Sequence, residues 1–178
     1  QLWKMAVVLA AALMTAGCPR ILYLNYEPST SLKGHGLVQV DAFAYSGHPT
    51  GLVKTKEVES STKDNEALYL SQDIGVFFTN ALRSELAFAG YDLQPTSVRI
   101  VSGKIEQFYL DYVGEQDQLF LIATTFYVAG KDGTSFTSSC RSSRQQPKYW
   151  MKSGLLIKSG ITECIEQFMK AAQAAGAL

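Results

Sequence analysis

The stretch LFLIATTFYVAGKDGTSFTSSCR, residues 119–141, decides the fold. Leu119–Ala129 is rich in β-branched and aromatic residues, and Thr134–Arg141 resumes an extended pattern after Gly130-Lys131-Asp132-Gly133. Two such runs around a glycine-bearing turn predict a β-hairpin. Upstream, Val98–Tyr112 predicts a third long strand. Val101, Gly103 and Ile105 share one face of it, while Phe108, Leu110 and Tyr112 fall out of phase with them. One extra residue near Gln107, a β-bulge, accounts for the slip.

Helical spacing flanks this strand-rich centre. Ser71 is the expected N-cap of the first helix, with Asp73 at the positive end of its dipole. Ile74, Phe77, Phe78, Ala81, Leu82 and Leu86 then recur at three- and four-residue intervals, and Gly90 ends the run. In the second helix Ser159 is the expected cap, and the stripe is Ile161, Cys164, Ile165, Phe168, Met169 and Ala172. Ala171–Leu178 reads as a frayed end, and Gln145–Ser153 has no regular period.

Before the first helix, Ile21–Tyr26 reads as a short strand and Pro28-Ser29-Thr30-Ser31 as a turn. Leu37–Tyr45 alternates, with Val38, Val40, Ala42 and Ala44 on one face and Leu37, Gln39, Asp41, Phe43 and Tyr45 on the other. Residues 46–51 are a loop, Val53–Val58 another strand, and Ser60–Glu66 an exposed polar stretch. Strands, helix, three strands, helix is an α+β order. The expectation is a mainly antiparallel sheet with two amphipathic helices packed on one face.

Of 178 residues, 16 are Lys or Arg and 16 are Asp or Glu, so the formal net charge is zero. A balanced chain has no basic face for phosphates, which argues against nucleic acid. Catalysis needs a cluster of nucleophile, base or metal ligands. The two histidines, His35 in Gly34-His35-Gly36 and His48 before Pro49, lie in loop sequence and lack a partner at metalloprotease spacing. Asp64, Glu66 and Asp73 read as a loop and a helix start, and Asp111, Glu115 and Asp117 as solvating groups around Gly114. No nucleophile elbow and no phosphate-binding glycine loop with lysine is present. The chain is therefore expected to be no enzyme, with no metal and no cofactor beyond covalent lipid.

Cys140 and Cys164 either form a disulfide or stay as two separate buried thiols. A bridge would close a loop of about 25 residues, worth roughly 3 kcal/mol in the chain-entropy model. If the face of Phe136, Ser138 and Cys140 meets the second helix, the sulfurs can approach. Two cysteines without nearby histidines are a poor metal site.

The other cysteine sits in QLWKMAVVLAAALMTAGCPR, residues 1–20. Gln1 in place of Met is read as a start short of the natural N-terminus. Lys4 precedes about a dozen apolar residues, Met5–Ala16, fewer than the roughly 20 that cross a bilayer. Thr15-Ala16-Gly17-Cys18 is similar to the bacterial lipobox, although Thr15 stands where Leu or Val is usual. That resemblance implies a signal peptide over 1–17, removed, and a Cys18 carrying diacylglyceryl and acyl groups such as palmitate. Several acyl chains hold a protein stably on a leaflet where one holds it marginally. Pro19 is not the Asp that retains such proteins at the inner membrane, which implies the periplasmic face of the outer membrane. Residues 18–21 form a tether of about 10 Å, and 22–178 one domain.

Tyr109, Tyr112, Phe120, Phe126 and Tyr127 on the central strands are expected in the core. Tyr149-Trp150-Met151, between Lys148 and Lys152, has no such assignment. Tyr149 and Trp150 are candidate contacts, with a protein partner or a membrane interface, or else a cap under the sheet. Trp150→Ala would weaken association without melting the fold in the first case, and destabilise it in the second.

Asp64-Asn65, Ser71-Gln72-Asp73, Leu82-Arg83-Ser84-Glu85-Leu86 and Ala89-Gly90-Tyr91 resemble the YajG family of bacterial lipoproteins. The lipobox, Val101-Ser102-Gly103-Lys104-Ile105 and the final helix follow in matching order. A similar pattern occurs in LpoB-like and TolB amino-terminal folds and in ABC-transport auxiliary lipoproteins. Gln145–Ser153 and the cysteine pair depart from the family. The resemblance implies an α+β envelope lipoprotein and supplies no catalytic residues. The expected function is a lipid-anchored, non-enzymatic module that binds or scaffolds an envelope protein through its surface and sheet edge. The alternative is an accessory of a lipid or ABC-type transport system, which needs an apolar groove lined by Phe77, Phe78 and Phe168.

Overall fold

The computed structural model describes residues 20–47, 54–60, 67–113, 117–130, 133–147 and 152–178. Its centre is an antiparallel meander of β7 (Ile100–Val113), β8 (Asp117–Ala129) and β9 (Ser135–Pro147). The β7–β8 register shifts between Ile105 and Gln107, so the expected bulge is present. β8 and β9 pair without interruption from Asp117↔Pro147 to Ala129↔Ser135. β9 is longer than its periodicity revealed, because Arg144, Gln145 and Gln146 are extended but carry no apolar face.

The fold is α+β and its sheet mainly antiparallel, as expected, but mixed because one edge pairs in parallel. The other edge of β7 is built from parallel segments: β2 (Leu37–Val40), with β6 (Asp92–Leu93) beyond it, and β3 (Ala44–Tyr45). β1 (Arg20–Leu22), β5 (Leu68–Leu70) and β4 (Glu57–Val58) form a small second sheet. A bridge from Glu59 to Tyr109 joins it to β7. β1 is shorter than the predicted strand and starts at Arg20, inside the predicted tether.

The predicted strand Leu37–Tyr45 is broken. Val38 and Val40 are buried, but the inward phase then switches to Phe43, and Ala42 and Ala44 are exposed. The Phe43 amide leaves the sheet ladder and donates to Thr79 Oγ1 at 2.9 Å. The Phe43 ring lies over Gly103, where a Cβ would collide with that ring and with the Thr125 carbonyl. The glycine on the core face of β7 is thus the seat of an aromatic ring.

Helix α1 (Ile74–Ala89) buries the expected stripe. Its N-cap is Asp73 rather than Ser71, and Asp73 Oδ1 accepts from Thr55 Oγ1 at 2.9 Å instead of capping the helix. Gly90 ends it at φ 108°, with the amide of Tyr91 donating to the Leu86 carbonyl, a Schellman closure. Helix α2 (Ser153–Ala174) starts six residues before the expected cap. Ser159 is inside it and donates to the Leu156 carbonyl at 2.8 Å. Its C-terminal end does not fray: Ala172 is fully buried, and the Ala177 amide donates back to the Ala172 carbonyl at 2.8 Å.

Both helices cover the face of β8 that carries Phe120, Ile122, Phe126 and Val128. The strand aromatics divide accordingly. The phenylalanines are fully buried, whereas Tyr127 is 47% and Tyr112 41% exposed. Among the described residues no helix is long and apolar enough to cross a membrane.

Cys140 of β9 and Cys164 of α2 form a disulfide with Cα atoms 5.4 Å apart. Beside it, Ser142 Oγ donates to Glu163 Oε2, which also pairs with Arg144 Nε at 2.9 Å. Reducing the bond, or replacing both cysteines with serine, is expected to cost about 3 kcal/mol. In a thermal melt that is a midpoint lower by roughly 6–12 °C, with strand and helix content unchanged because Glu163 still ties β9 to α2.

Candidate functional site

The residues singled out for chemistry do not converge. His35 is exposed, and among the described residues no three His, Cys, Asp or Glu side chains could hold a metal ion. Asp117 accepts from Gln145 Nε2 at 2.8 Å on the surface. Asp111, expected in solvent, is buried, accepting the Tyr109 hydroxyl and, at 2.8 Å, the Tyr112 amide. Cys18, His48, Asp64, Glu66, Glu115, Tyr149 and Trp150 lie outside the described residues.

Phe77, Phe78 and Phe168 line no groove. Phe168 stacks on Phe126 at 4.2 Å, Phe78 lies 5.9 Å from Phe126, and all three are core residues. The apolar cleft required by the transport reading is filled at that place.

The polar centre is Glu85, which sequence reasoning passed over. It lies in the apolar stripe of α1 and is fully buried. Its Oε1 accepts from the Tyr26 hydroxyl at 2.5 Å, and its Oε2 accepts from the Thr30 amide at 2.9 Å and the Ser29 amide at 3.2 Å. Tyr26 spends its proton on Glu85, so the 2.7 Å contact with Thr162 Oγ1 is a bond donated by Thr162. The available signal was a carboxyl group at a position where three- and four-residue spacing demands a core residue.

Those bonds fix an irregular strap, residues 23–36, along α2. Leu24 meets Gly154, Lys158 Nζ donates to the Asn25 carbonyl at 2.7 Å, Tyr26 reaches Thr162, and Gln173 Nε2 donates to the Lys33 carbonyl at 2.9 Å. The strap therefore runs parallel to α2 from its first turn to its last. At 1.5 Å per residue that helix spans about 33 Å. The domain thus has two distinct ends. One holds β1, the start of α2, the start of β8 and the end of β9, joined where Ser153 Oγ donates to Gln118 Oε1 at 3.2 Å. The other holds Leu37, the starts of β7 and β9, and the last turn of α2.

At this second end is a hollow of about 730 Å³. Leu37, Val98, Val128, Phe136 and Ala177 line it together with Arg99 and the hydroxyls of Thr96 and Thr134. Leu37 and Val98 are 53% and 57% exposed. Five segments remote in sequence build it, so no local motif announces it.

Burial and an acceptor carboxyl group raise the pKa of two tyrosines: Tyr26 beside Glu85, and Tyr45, whose hydroxyl donates to Glu59 Oε1 at 2.7 Å. A hydroxyl whose folded pKa is raised stabilises the fold fully below its unfolded value. That stability is lost as pH rises past about 10 toward the folded value. The melting midpoint is expected to fall steadily above pH 10, and Tyr26→Phe with Tyr45→Phe to flatten that limb.

No protein-family model and no curated protein matches this sequence. Solved structures do share the fold. A Xanthomonas campestris protein of the DUF330 family superposes with a TM-score of 0.62 at 10% identity, over 88% of this chain and 96% of its own. An uncharacterized protein does so with a TM-score of 0.58 at 12% identity, over 89% and 99%. Rare lipoprotein B of Shewanella oneidensis is more distant, with a TM-score of 0.41 at 10% identity, over 78% and 96%. The first two establish a shared architecture at identities too low to transfer an activity.

Proposed function

We propose that this chain is a lipid-anchored, non-enzymatic protein of the bacterial cell envelope, held through Cys18 and docking a neighbouring envelope protein. The lipobox-like sequence and the resemblance to the YajG lipoproteins support the anchor and the periplasmic face of the outer membrane. The observation that carries the reading is the strap. It runs parallel to α2, so the chain enters the domain at Arg20 on one end, and the hollow opens at the other. Only Pro19 separates Cys18 from Arg20. The entry end is then pressed to the leaflet and the hollow end turned away from it. Pro147 and Lys152, which flank Tyr149 and Trp150, belong to the entry end. That supports those two residues as leaflet contacts rather than partner contacts.

Metabolic labelling with an alkynyl fatty acid tests the anchor. The label and membrane association are expected in the native protein and absent in Cys18→Ser. Photocrosslinkers introduced at Tyr127, exposed on β8 near the hollow end but outside the hollow, and at Leu155 test the polarity in intact cells. Tyr127 is expected to capture one reproducible envelope protein and Leu155 lipid. An unacylated protein that washes off in plain buffer, or protein capture only at Leu155, overturns the reading.

A further inference from the structure

We infer that the hollow at the end remote from β1 is a binding site for an amphiphile with one acyl chain and an anionic head, carboxylate or phosphate. Three observations carry this. The first is the wall. Val128 and Phe136 lie inside, Leu37 and Val98 stand more than half exposed at 53% and 57%, and among the described residues no Asp or Glu lines it. Apolar side chains of that size left in water around a concavity mark a surface that something apolar covers.

The second is Arg99, the one cation among the described residues of that wall. It is half-buried, lies over Gly36 with a guanidinium nitrogen 3.3 Å from where a Cβ would stand, and pairs with no carboxylate among the described residues. A guanidinium presents a planar fork of donors matched to carboxylate and phosphate oxygens. Thr96 and Thr134 place further hydroxyl donors on the same wall. Charge complementarity thus selects an anion for the polar end of the occupant.

The third is size. At about 30 Å³ per group of one heavy atom, a twelve-carbon chain with its head needs roughly 420 Å³. That fits within the 730 Å³ available. A second chain of the same length brings the total to roughly 800 Å³ on the same measure, so one chain with its head is the better match to the hollow. The site takes a fatty acid, an alkyl phosphate or a lysophospholipid-like molecule.

The inference does not need the anchor, because it is read at residues on the opposite end of the domain. The test uses the full chain in phosphatidylcholine nanodiscs with three diazirine probes of equal chain length: dodecanoate, dodecyl phosphate and dodecyltrimethylammonium. Peptide mapping by mass spectrometry locates the adducts. Both anionic probes are expected to label the segments around Val98, Phe136 and Ala177 at least tenfold above the cationic one. Arg99→Ala is expected to lose that labelling about tenfold, Arg99→Lys to retain part of it, and Val98→Asp to lose it without lowering the melting midpoint. Preference for one anionic probe assigns the head as carboxylate or phosphate within the same site. Labelling spread without preference, equal labelling by the cationic probe, or no effect of Arg99→Ala overturns the proposal. So does full competition by inorganic phosphate, which would leave a bare anion site.

Discussion

Phe126→Ala is expected to cost about 3–5 kcal/mol and to lower the melting midpoint by roughly 6–20 °C. Phe126 is fully buried at the middle of β8. Its ring stacks on Phe168 of α2 at 4.2 Å and meets Phe43 at 5.4 Å and Phe78 of α1 at 5.9 Å. It therefore touches both helices and the segment between β2 and β3. Truncation removes the transfer energy of a full aromatic side chain. It also leaves a cavity that cannot collapse easily, because Gly103 and Gly160 already hold Phe43 and Phe120 at closest approach. Tyr127→Ala, one residue along and 47% exposed on the opposite face, should shift the midpoint by only a degree or two. Calorimetry on the two variants measures the asymmetry between the faces. Similar losses from both would contradict a helix-covered face on one side only.

What was legible in the sequence follows from how local each signal is. The hairpin around Gly130, the bulge near Gln107 and the Gly90 stop each depend on a few adjacent residues, and each stands where it was expected. The parallel edge of β7 was not legible. β2, β3 and β6 are two to four residues long; β2 and β3 pair with β7, and β6 pairs only with β2. The switch at Phe43 depends on Thr79 and Gly103, which are far away in the chain. The start of α2 lies upstream of the expected cap, in sequence that contains Gly154, and Gly160 follows Ser159. Those glycines are where Leu24 and Phe120 approach the helix too closely for a side chain. Glycine in a helix costs about 1 kcal/mol against alanine, and close packing against the sheet outweighs that.

The two cysteines were readable as partners only through a strand face meeting a helix face, which is tertiary information. Glu85 is the sharper case. A helical stripe is found by scanning for apolar residues, so a carboxyl group inside it is skipped by construction. Its partners, Tyr26, Ser29 and Thr30, are more than fifty residues away. The hollow was invisible for the same reason, and the groove proposed from Phe77, Phe78 and Phe168 failed because aromatic residues at core spacing fill space before they line it.

Glu85→Ala is expected to destabilise the protein by about 3–5 kcal/mol, because two backbone amides and a hydroxyl lose their acceptor at about 1–3 kcal/mol for each donor left buried and unpaired. No apolar substitute repairs the loss, since the amides of Ser29 and Thr30 and the hydroxyl of Tyr26 would remain as donors without Glu85. Leucine in place of alanine would fill the volume and still leave two backbone amides unpaired. Tyr26→Phe removes only one donor and should cost about 1 kcal/mol. The consequence for function exceeds the loss of stability. The strap carries the chain from β1 along α2, and Glu85 fastens it midway, so its release frees the orientation of the domain relative to whatever holds residue 18. Under conditions where Glu85→Ala is still folded, the Ser29 and Thr30 amides should exchange hydrogen far faster than in the native protein. Photocapture of protein from Tyr127 should fall while acylation of Cys18 persists. Tyr26→Phe, with its amide bonds to Glu85 intact, should keep both properties. A cost below about 1 kcal/mol for Glu85→Ala, with Ser29 and Thr30 still protected, would mean that packing of Leu24 and Tyr26 against the helices holds the strap, with the carboxyl group a passenger.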